Sequence, residues 1–176
     1  MNKYIFDENI EEMAKKYTDL TKSDIDLIKS KAETIVNNTE EFIGFDVFID
    51  ILNVITNEAV VVFHRPPLIS KSIYKESVIG KTAYRKNEPG PLRTLETGLK
   101  SVGLYAFSQE GLLIKQTSYP VLNDSRTIAV VIVEEDISDD IKASFDVSNR
   151  DKSYQVVSDF IAEVEIKDQS ITDYID

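Results

Sequence analysis

The chain has 176 residues, 42% of them hydrophobic, so it can form one domain with a substantial core and flanking helices. Its 31 acidic residues exceed the 20 basic ones, which gives a formal net charge of −11. This charge argues against a binder of nucleic-acid phosphates or of anionic membrane surfaces. The sequence has no cysteine, no apolar signal core and no apolar run near the roughly 18 residues of a membrane helix. We therefore expect a cytoplasmic protein without nucleic-acid or membrane partners.

Two amphipathic helices are predicted before residue 45. Asp7 is the expected N-cap of the first, and its apolar positions share one helical face: Ile10, Met13, Ala14 and Tyr17. The second helix is marked more clearly, because Thr21 and Asp24 have the spacing of a capping box. Apolar residues follow it at helical spacing: Ile25, Ile28, Ala32 and Ile35.

The sequence from residue 45 onward predicts a sheet. Segments 45–52 and 58–65 are rich in Val, Ile and Phe and are separated by a polar turn. Pro91 and Gly98 bracket a short helix over 92–97. Three more strands are predicted over about 102–108, 112–122 and 127–135. This order predicts an α+β domain whose five-stranded antiparallel sheet is flanked by N- and C-terminal helices.

The segments of the central region resemble a known sensor module in their order and detail. SIYKESVIGKTAYRKNEPGPLRTLETG is followed by SQEGLLIKQTSYPVLN, with EAVVVFHRPP before them and IAVVIVEEDIS after them. This region resembles the N-terminal GAF/PAS-like sensor domain of cytoplasmic two-component sensor histidine kinases, a family that includes the ethanolamine-utilisation regulator kinases. The resemblance implies an N-terminal helix over 1–19, the sensor domain over 20–141 and a linker or signalling helix over 142–176 that leads to a downstream domain.

The C-terminal region has a heptad pattern, whose positions are Val147, Arg150, Tyr154, Val157, Ile161, Val164, Asp168, Ile171 and Ile175. Two interpretations stay open. The helix folds back onto the domain's own sheet, or it pairs across a homodimer and leads into the kinase domains of the same chain.

The sequence offers little for catalysis or for a cofactor. His64 is its single histidine and lies at a strand end, where we expect a structural or pocket-lining role. A histidine kinase needs a phosphoacceptor histidine on a helix and a Gly-rich ATP-binding domain, so this fragment is predicted not to be an enzyme, although the resemblance implies a histidine kinase as the full-length parent. We expect no cofactor, and haem or bilin sensing is disfavoured. The acidic runs 134–136 and 139–140 lack EF-hand spacing and are predicted to be solvated.

The resemblance implies that a small ligand binds between the sheet and the elements that cross it, here residues 69–98. The residues carried over from the matching motifs are Arg65, Tyr84, Glu88, Arg93, Glu96 and Gln116. An ammonium ligand such as ethanolamine requires carboxylates or aromatic faces, which Tyr84, Glu88, Glu96 and Tyr105 can supply. Alternatively, Arg93 and Glu96 only pair with each other in a short architectural helix, and the domain is a non-binding dimerisation or spacer module.

Overall fold

The computed structural model describes residues 3–38, 40, 43–81, 90–107 and 112–139. These ranges contain the helices α1 (Lys3–Tyr17), α2 (Lys22–Asn37) and α3 (Gly90–Thr97), and the strands β1 (Asp46–Asn53), β2 (Glu58–Arg65), β3 (Ser101–Phe107), β4 (Leu112–Asn123) and β5 (Arg126–Asp136). The strands form one antiparallel sheet in the order β2-β1-β5-β4-β3, which confirms the predicted α+β class. The C-terminal heptad pattern lies outside the described residues.

The chain divides into two compact units. The larger comprises Met1–Gly103 with Gln116–Glu134, and the smaller comprises Leu104–Lys115 with Glu135–Asp176. The three helices, the strands β1 and β2, and the residues of the candidate site described below belong to the larger unit. None of the described helices is long and apolar enough to cross a membrane.

The capping prediction holds for α2 and fails for α1. The Thr21 side chain accepts a hydrogen bond from the Asp24 N–H, and the Asp24 carboxylate accepts one from the Thr21 N–H, so the capping box is confirmed. In contrast, α1 begins at Lys3, so the prediction of Asp7 as its N-cap is wrong. Asp7 is the fifth residue of the helix, and only the first four N–H groups of a helix lack an intrahelical acceptor.

The two faces of the sheet have different coverings. Because side chains alternate along a strand, Asp46, Phe48 and Asp50 of β1 share one face, which we call the front face, and Val47, Ile49 and Ile51 share the back face. Helix α1 contacts β1 and β2, and helix α2 contacts β2. Buried apolar side chains of both helices fill the core on the back face: Ile10, Ala14, Ile28, Ala32 and Ile35.

The front face is covered by α3 and by residues 66–81, which we call the crossing segment and which contain no helix or strand. The Gly80 N–H donates to the Val61 carbonyl over 2.8 Å, which fixes the end of this segment to β2. A buried apolar cluster fills the space between the sheet and its cover: Phe48, Ala59, Val61, Val78, Leu95, Val130 and Ile132.

Positive φ angles mark the end of α3, where the sequence predicts it, and the turn between β4 and β5. Gly98 has φ +69° and donates its N–H to the Thr94 carbonyl, as expected for the residue that ends α3. Strands β4 and β5 are joined by Asp124 and Ser125, whose φ angles are 50° and 68°. Two consecutive left-handed residues match the twist of a tight hairpin, so this turn keeps β4 and β5 in register.

Candidate functional site

Two buried carboxyl groups lie side by side on the front face. Asp46 of β1 is the register partner of Glu134 of β5, and both side chains point to the same face of the sheet. Asp46 is 5% exposed and Glu134 is 3% exposed. Burying a carboxylate costs free energy unless hydrogen bonds or opposite charges compensate, so the groups that surround this pair define the chemistry of the site.

Asp46 is held by one residue of β2 and one of the crossing segment. Its Oδ1 atom accepts from the Ser72 hydroxyl over 2.6 Å and lies 2.7 Å from His64 Nε2, which donates in the tautomer that carries the proton on Nε2. The His64 ring stacks on Phe48, with 4.4 Å between the ring centroids and 7° between the planes. His64 therefore lines this site, in agreement with its prediction.

Glu134 is held by the crossing segment and by β4. Its Oε2 atom accepts from the Tyr74 hydroxyl, and its Oε1 atom accepts from Gln116 Nε2 over 3.0 Å. The Tyr74 ring also contacts Phe48 edge-on, with 5.3 Å between centroids. The prediction that residues 134–136 form a solvated strand end is wrong for Glu134, because strand alternation turns this side chain under the crossing segment, whereas Asp136 is exposed.

The first turn of α3 approaches β4 closely. A Cβ atom on Gly90 would lie 3.1 Å from Gln116 Oε1 and 3.6 Å from Ser118 Oγ, so the missing side chain permits this approach. Ser118 shares the front face with Gln116 and is 1% exposed. Its hydroxyl has no hydrogen-bond partner among the described residues. On the same helix, the Thr94 hydroxyl donates to Ser101 Oγ over 3.0 Å.

The described part of the front face is acidic. Three buried carboxyl groups belong to it: Asp46, Asp50 and Glu134. The buried basic residues of the described ranges, Arg65 and Lys115, follow His64 and precede Gln116 in their strands, so alternation puts both on the other face. Burial lowers the pKa of the Arg65 guanidinium, and the charge of Asp46 opposes this change.

Of the predicted ligand-binding residues that the structure describes, only Gln116 lies in this cluster. Gln116 bonds to Glu134, as described above. Arg65 instead donates from Nη1 to the carbonyl oxygens of Ile35 and Asn38, over 3.1 and 3.0 Å, and so satisfies the end of α2 on the back face.

The other predicted residues lie apart from the cluster or outside the described ranges. Arg93 and Glu96 are exposed on α3. Glu96 accepts a hydrogen bond from Asn57 Nδ2 over 3.4 Å, at the turn between β1 and β2. Tyr84 and Glu88 lie outside the described residues, as does the side chain of Tyr105.

Sequence reasoning missed Asp46, Ser72, Tyr74 and Glu134. A usable signal existed for the two acids, because each lies two residues from a large apolar residue of its own strand, Phe48 or Ile132. Period-two alternation therefore gives each acid the orientation of a core residue. Within the described residues, no group of three His, Cys, Asp or Glu side chains is placed to hold a metal ion.

Comparison with protein families gives one extensive match. The family model described as "Histidine kinase PdtaS, GAF domain" matches residues 10–154, which confirms the resemblance found in the sequence. A search of curated protein sequences gave no significant match.

Solved structures give weaker similarities. A "sensor region of a sensor histidine kinase" has a TM-score of 0.47 and 15% identity, over 72% of this chain and 41% of that chain. The sensory box sensor histidine kinase from Vibrio cholerae has a TM-score of 0.38 and 15% identity, over 62% and 94%. The ligand-binding domain of the Campylobacter jejuni chemoreceptor Tlp3, in complex with L-norvaline, has a TM-score of 0.34 and 12% identity, over 78% and 56%.

Proposed function

Because the chain belongs to the family of sensor domains described as "Histidine kinase PdtaS, GAF domain", we propose that it senses a small cationic ligand on its front face. The candidate ligand is a small amine such as ethanolamine, which the resemblance to the ethanolamine-utilisation regulator kinases suggests. In this proposal the domain is cytoplasmic, it controls kinase domains in the same chain, and it forms a homodimer through the C-terminal helix.

The observation that carries the proposal is the paired carboxyl groups of Asp46 and Glu134 beside three aromatic rings. An ammonium group is stabilised by carboxylate oxygens and by the faces of aromatic rings. Phe48, His64 and Tyr74 contact one another next to both carboxyl groups. The site therefore combines both kinds of partner within a buried environment, where electrostatic attraction is stronger than in water.

The present hydrogen bonds suggest how a ligand would enter and act. Ser72 and Tyr74 belong to the crossing segment and donate neutral hydroxyls to the two carboxyl groups. A ligand ammonium can replace these donors and form charge-assisted bonds, which are stronger than bonds from neutral groups. Replacement would release two contacts between the crossing segment and the sheet. Such a ligand would favour one arrangement of the segment over another, as a sensor requires.

The predicted binding residues enter the proposal with different support. Gln116 is supported by its bond to Glu134. Arg65 bonds to the end of α2 on the back face, so its place in a ligand site stays a prediction from the family resemblance. Arg93, Glu96, Tyr84 and Glu88 stay predictions from the family resemblance, and their alanine variants belong in the same experiment.

A spacer module without a ligand is the second candidate, since the protein's own donors already occupy the carboxyl groups of Asp46 and Glu134. In that case the cluster only fixes the crossing segment to the sheet.

Thermal unfolding against a panel of small amines, neutral alcohols and nucleotides separates these candidates. A ligand at about a hundred times its Kd adds roughly 2.7 kcal/mol of stability, which raises the Tm by several degrees. We expect a saturable shift with an amine that Glu134→Gln and Gln116→Ala abolish. Glu135→Gln is the matched control, because the neighbouring residue points to the other face. An unchanged Tm across the panel would favour the spacer.

A further inference from the structure

We propose that β3 is an interface with a second copy of this chain, formed by antiparallel pairing of the two β3 strands. The two five-stranded sheets would then continue into each other across a twofold axis. This inference concerns the outer edge of the sheet and needs no ligand. It is also separate from the homodimer through the C-terminal helix that the proposed function includes.

The two edges of the sheet differ in how they are covered. Strands β2 and β3 are the outer strands. Most side chains of β2 are buried, and its Val61 carbonyl accepts from the Gly80 N–H, so the crossing segment occupies part of that edge. Among the described strands, none lies beyond β3. The outer strand of a sheet presents a row of N–H and C=O groups to which another extended strand can bond.

The side chains of β3 leave room for such a strand. Val102 is 43% exposed and Leu104 is 40% exposed, and alternation puts both on one face of the sheet. Between them, a Cβ atom on Gly103 would meet no atom within 4 Å, so the other face is open at this position. Exposed apolar side chains along the edge of a sheet are a surface that favours association with another strand.

The charge of β3 indicates what kind of strand fits. Of the five strands in the described ranges, β3 is the only one without a charged residue, although 29% of the chain is charged. Its sequence, SVGLYAF, also lacks the lysine or proline that commonly protects an edge strand from pairing. The whole chain has a net charge of −11, so two copies repel each other over most of their surfaces. Two uncharged β3 strands can pair without placing like charges opposite each other.

The length of β3 gives the register of this pairing. The strand has seven residues, Ser101–Phe107, and Leu104 is the middle one. A twofold axis through the middle of an antiparallel pair places Leu104 opposite its own counterpart. The Cα atoms of directly opposite residues are about 4.5–5.5 Å apart. Pairing would therefore cover the exposed part of Leu104, and Val102 would approach the second copy on the same face.

Disulfide formation at position 104 tests the contact directly. The chain contains no cysteine, so an introduced cysteine can only pair with its counterpart in another copy. The expected Cα separation lies within the roughly 4.4–6.8 Å that a disulfide requires. We expect Leu104→Cys in the whole chain to form a covalent dimer under mild oxidation, measured on a non-reducing gel. The matched control is Ile55→Cys at the turn between β1 and β2, where the side chain is 80% exposed, and it should cross-link far more slowly.

Charge substitutions at the same position test whether the partner is a second copy. Leu104→Lys and Leu104→Glu each place like charges opposite each other, so we expect each variant alone to self-associate at least about tenfold more weakly in sedimentation equilibrium. An equimolar mixture of the two variants should regain association, because the opposed charges then attract. Ile55→Lys should leave association unchanged. Circular dichroism checks that each variant is folded.

The possible results separate this interface from the other homodimer. Cross-linking of Leu104→Cys no faster than of Ile55→Cys would overturn pairing through β3. A mixture that associates no more tightly than its two components would overturn the choice of a second copy as the partner. A dimer that both charged variants retain unchanged would overturn the β3 interface and leave the C-terminal helix as the proposed one. A monomeric unsubstituted chain would overturn both homodimers.

Discussion

Two sites in this domain bury carboxyl groups, and they do so with different partners. Asp24 at the start of α2 is 0% exposed and accepts from the Thr21 N–H, from Asn123 Nδ2 over 2.7 Å and from Arg126 Nη2 over 2.8 and 3.0 Å. Burial raises the pKa of Asp24, but the hydrogen bonds from Asn123, Thr21 and Arg126 outweigh it and lower the pKa to about 2.

Asp46 and Glu134 on the front face have a different set of donors. Ser72, Tyr74 and Gln116 donate neutral groups to them, and only His64 among these contacts can carry a charge. The charged guanidinium of Arg126 bonds to both carboxylate oxygens of Asp24, which gives Asp24 a structural role. Neutral hydroxyls can be exchanged for a cation with a gain in electrostatic attraction. Under the proposed function, the comparison is between a carboxylate that serves folding and a pair that binds a cation.

The largest effect is expected when the Asp24 site is removed. Asp24→Ala should lower the free energy of unfolding by about 3 kcal/mol, because it leaves buried donors without an acceptor and removes part of the capping box. Urea unfolding monitored by circular dichroism measures this loss. The matched control is Asp26→Ala, at an exposed position of the same helix, which should change stability by less than about 0.5 kcal/mol. Equal losses for the two variants would contradict a structural role for Asp24.

The second-largest effect on stability is expected at low pH, where Asp24 becomes protonated. The pKa of Asp24 is below its ordinary value in the folded state, so the unfolded state binds more protons and stability falls with pH. This contribution is fully present above about pH 4 and is lost as the pH falls toward about 2. The urea midpoint of the unsubstituted chain should therefore fall more steeply between pH 4 and 2 than that of Asp24→Asn. Parallel curves would show that Asp24 does not titrate differently in the two states.

We expect the smallest stability change from Tyr74→Phe. This variant also tests most directly whether a ligand can replace a hydroxyl group that donates to the carboxyl pair. The variant keeps the ring beside Phe48 but removes the hydroxyl that Glu134 accepts, so we expect a loss of about 1 kcal/mol. If a ligand ammonium competes with this hydroxyl, the variant should bind the amine several-fold more tightly. Tyr17→Phe on α1 should change neither quantity. Unchanged or weaker amine binding would show that Tyr74 does not compete with the ligand.

The sequence predicted those parts of the fold that depend on local patterns. The capping box of Thr21 and Asp24, the strand over 58–65 and the glycine that ends α3 are each specified within a few residues. The position of Asp7 could not be predicted in the same way, because an aspartate is equally common at the N-cap and within the second turn. Which of the two it occupies depends on whether the residues before it extend the helix.

The candidate site was harder to predict from the sequence, because its residues contact partners that are distant in the sequence. Ser72 reaches Asp46 across 26 residues and Tyr74 reaches Glu134 across 60, from a segment without helix or strand periodicity. The acidic run 134–136 has the composition of a solvated turn, so its composition did not predict the inward orientation of Glu134. Gln116 was identified because it lies in a motif that matches the resembled family.

The bond between Arg126 and Asp24 also affects the order in which the domain can be completed during synthesis. It joins positions that are 102 residues apart. Asp24, at the start of α2, therefore gains its Arg126 partner only when the chain has been synthesised as far as β5. Closing a loop of this length is entropically costly and slow compared with forming helices and hairpins. A nascent chain that has only reached β4 therefore lacks the Arg126 donor of Asp24. We expect this domain to become resistant to proteolysis on the ribosome only after Arg126 has emerged.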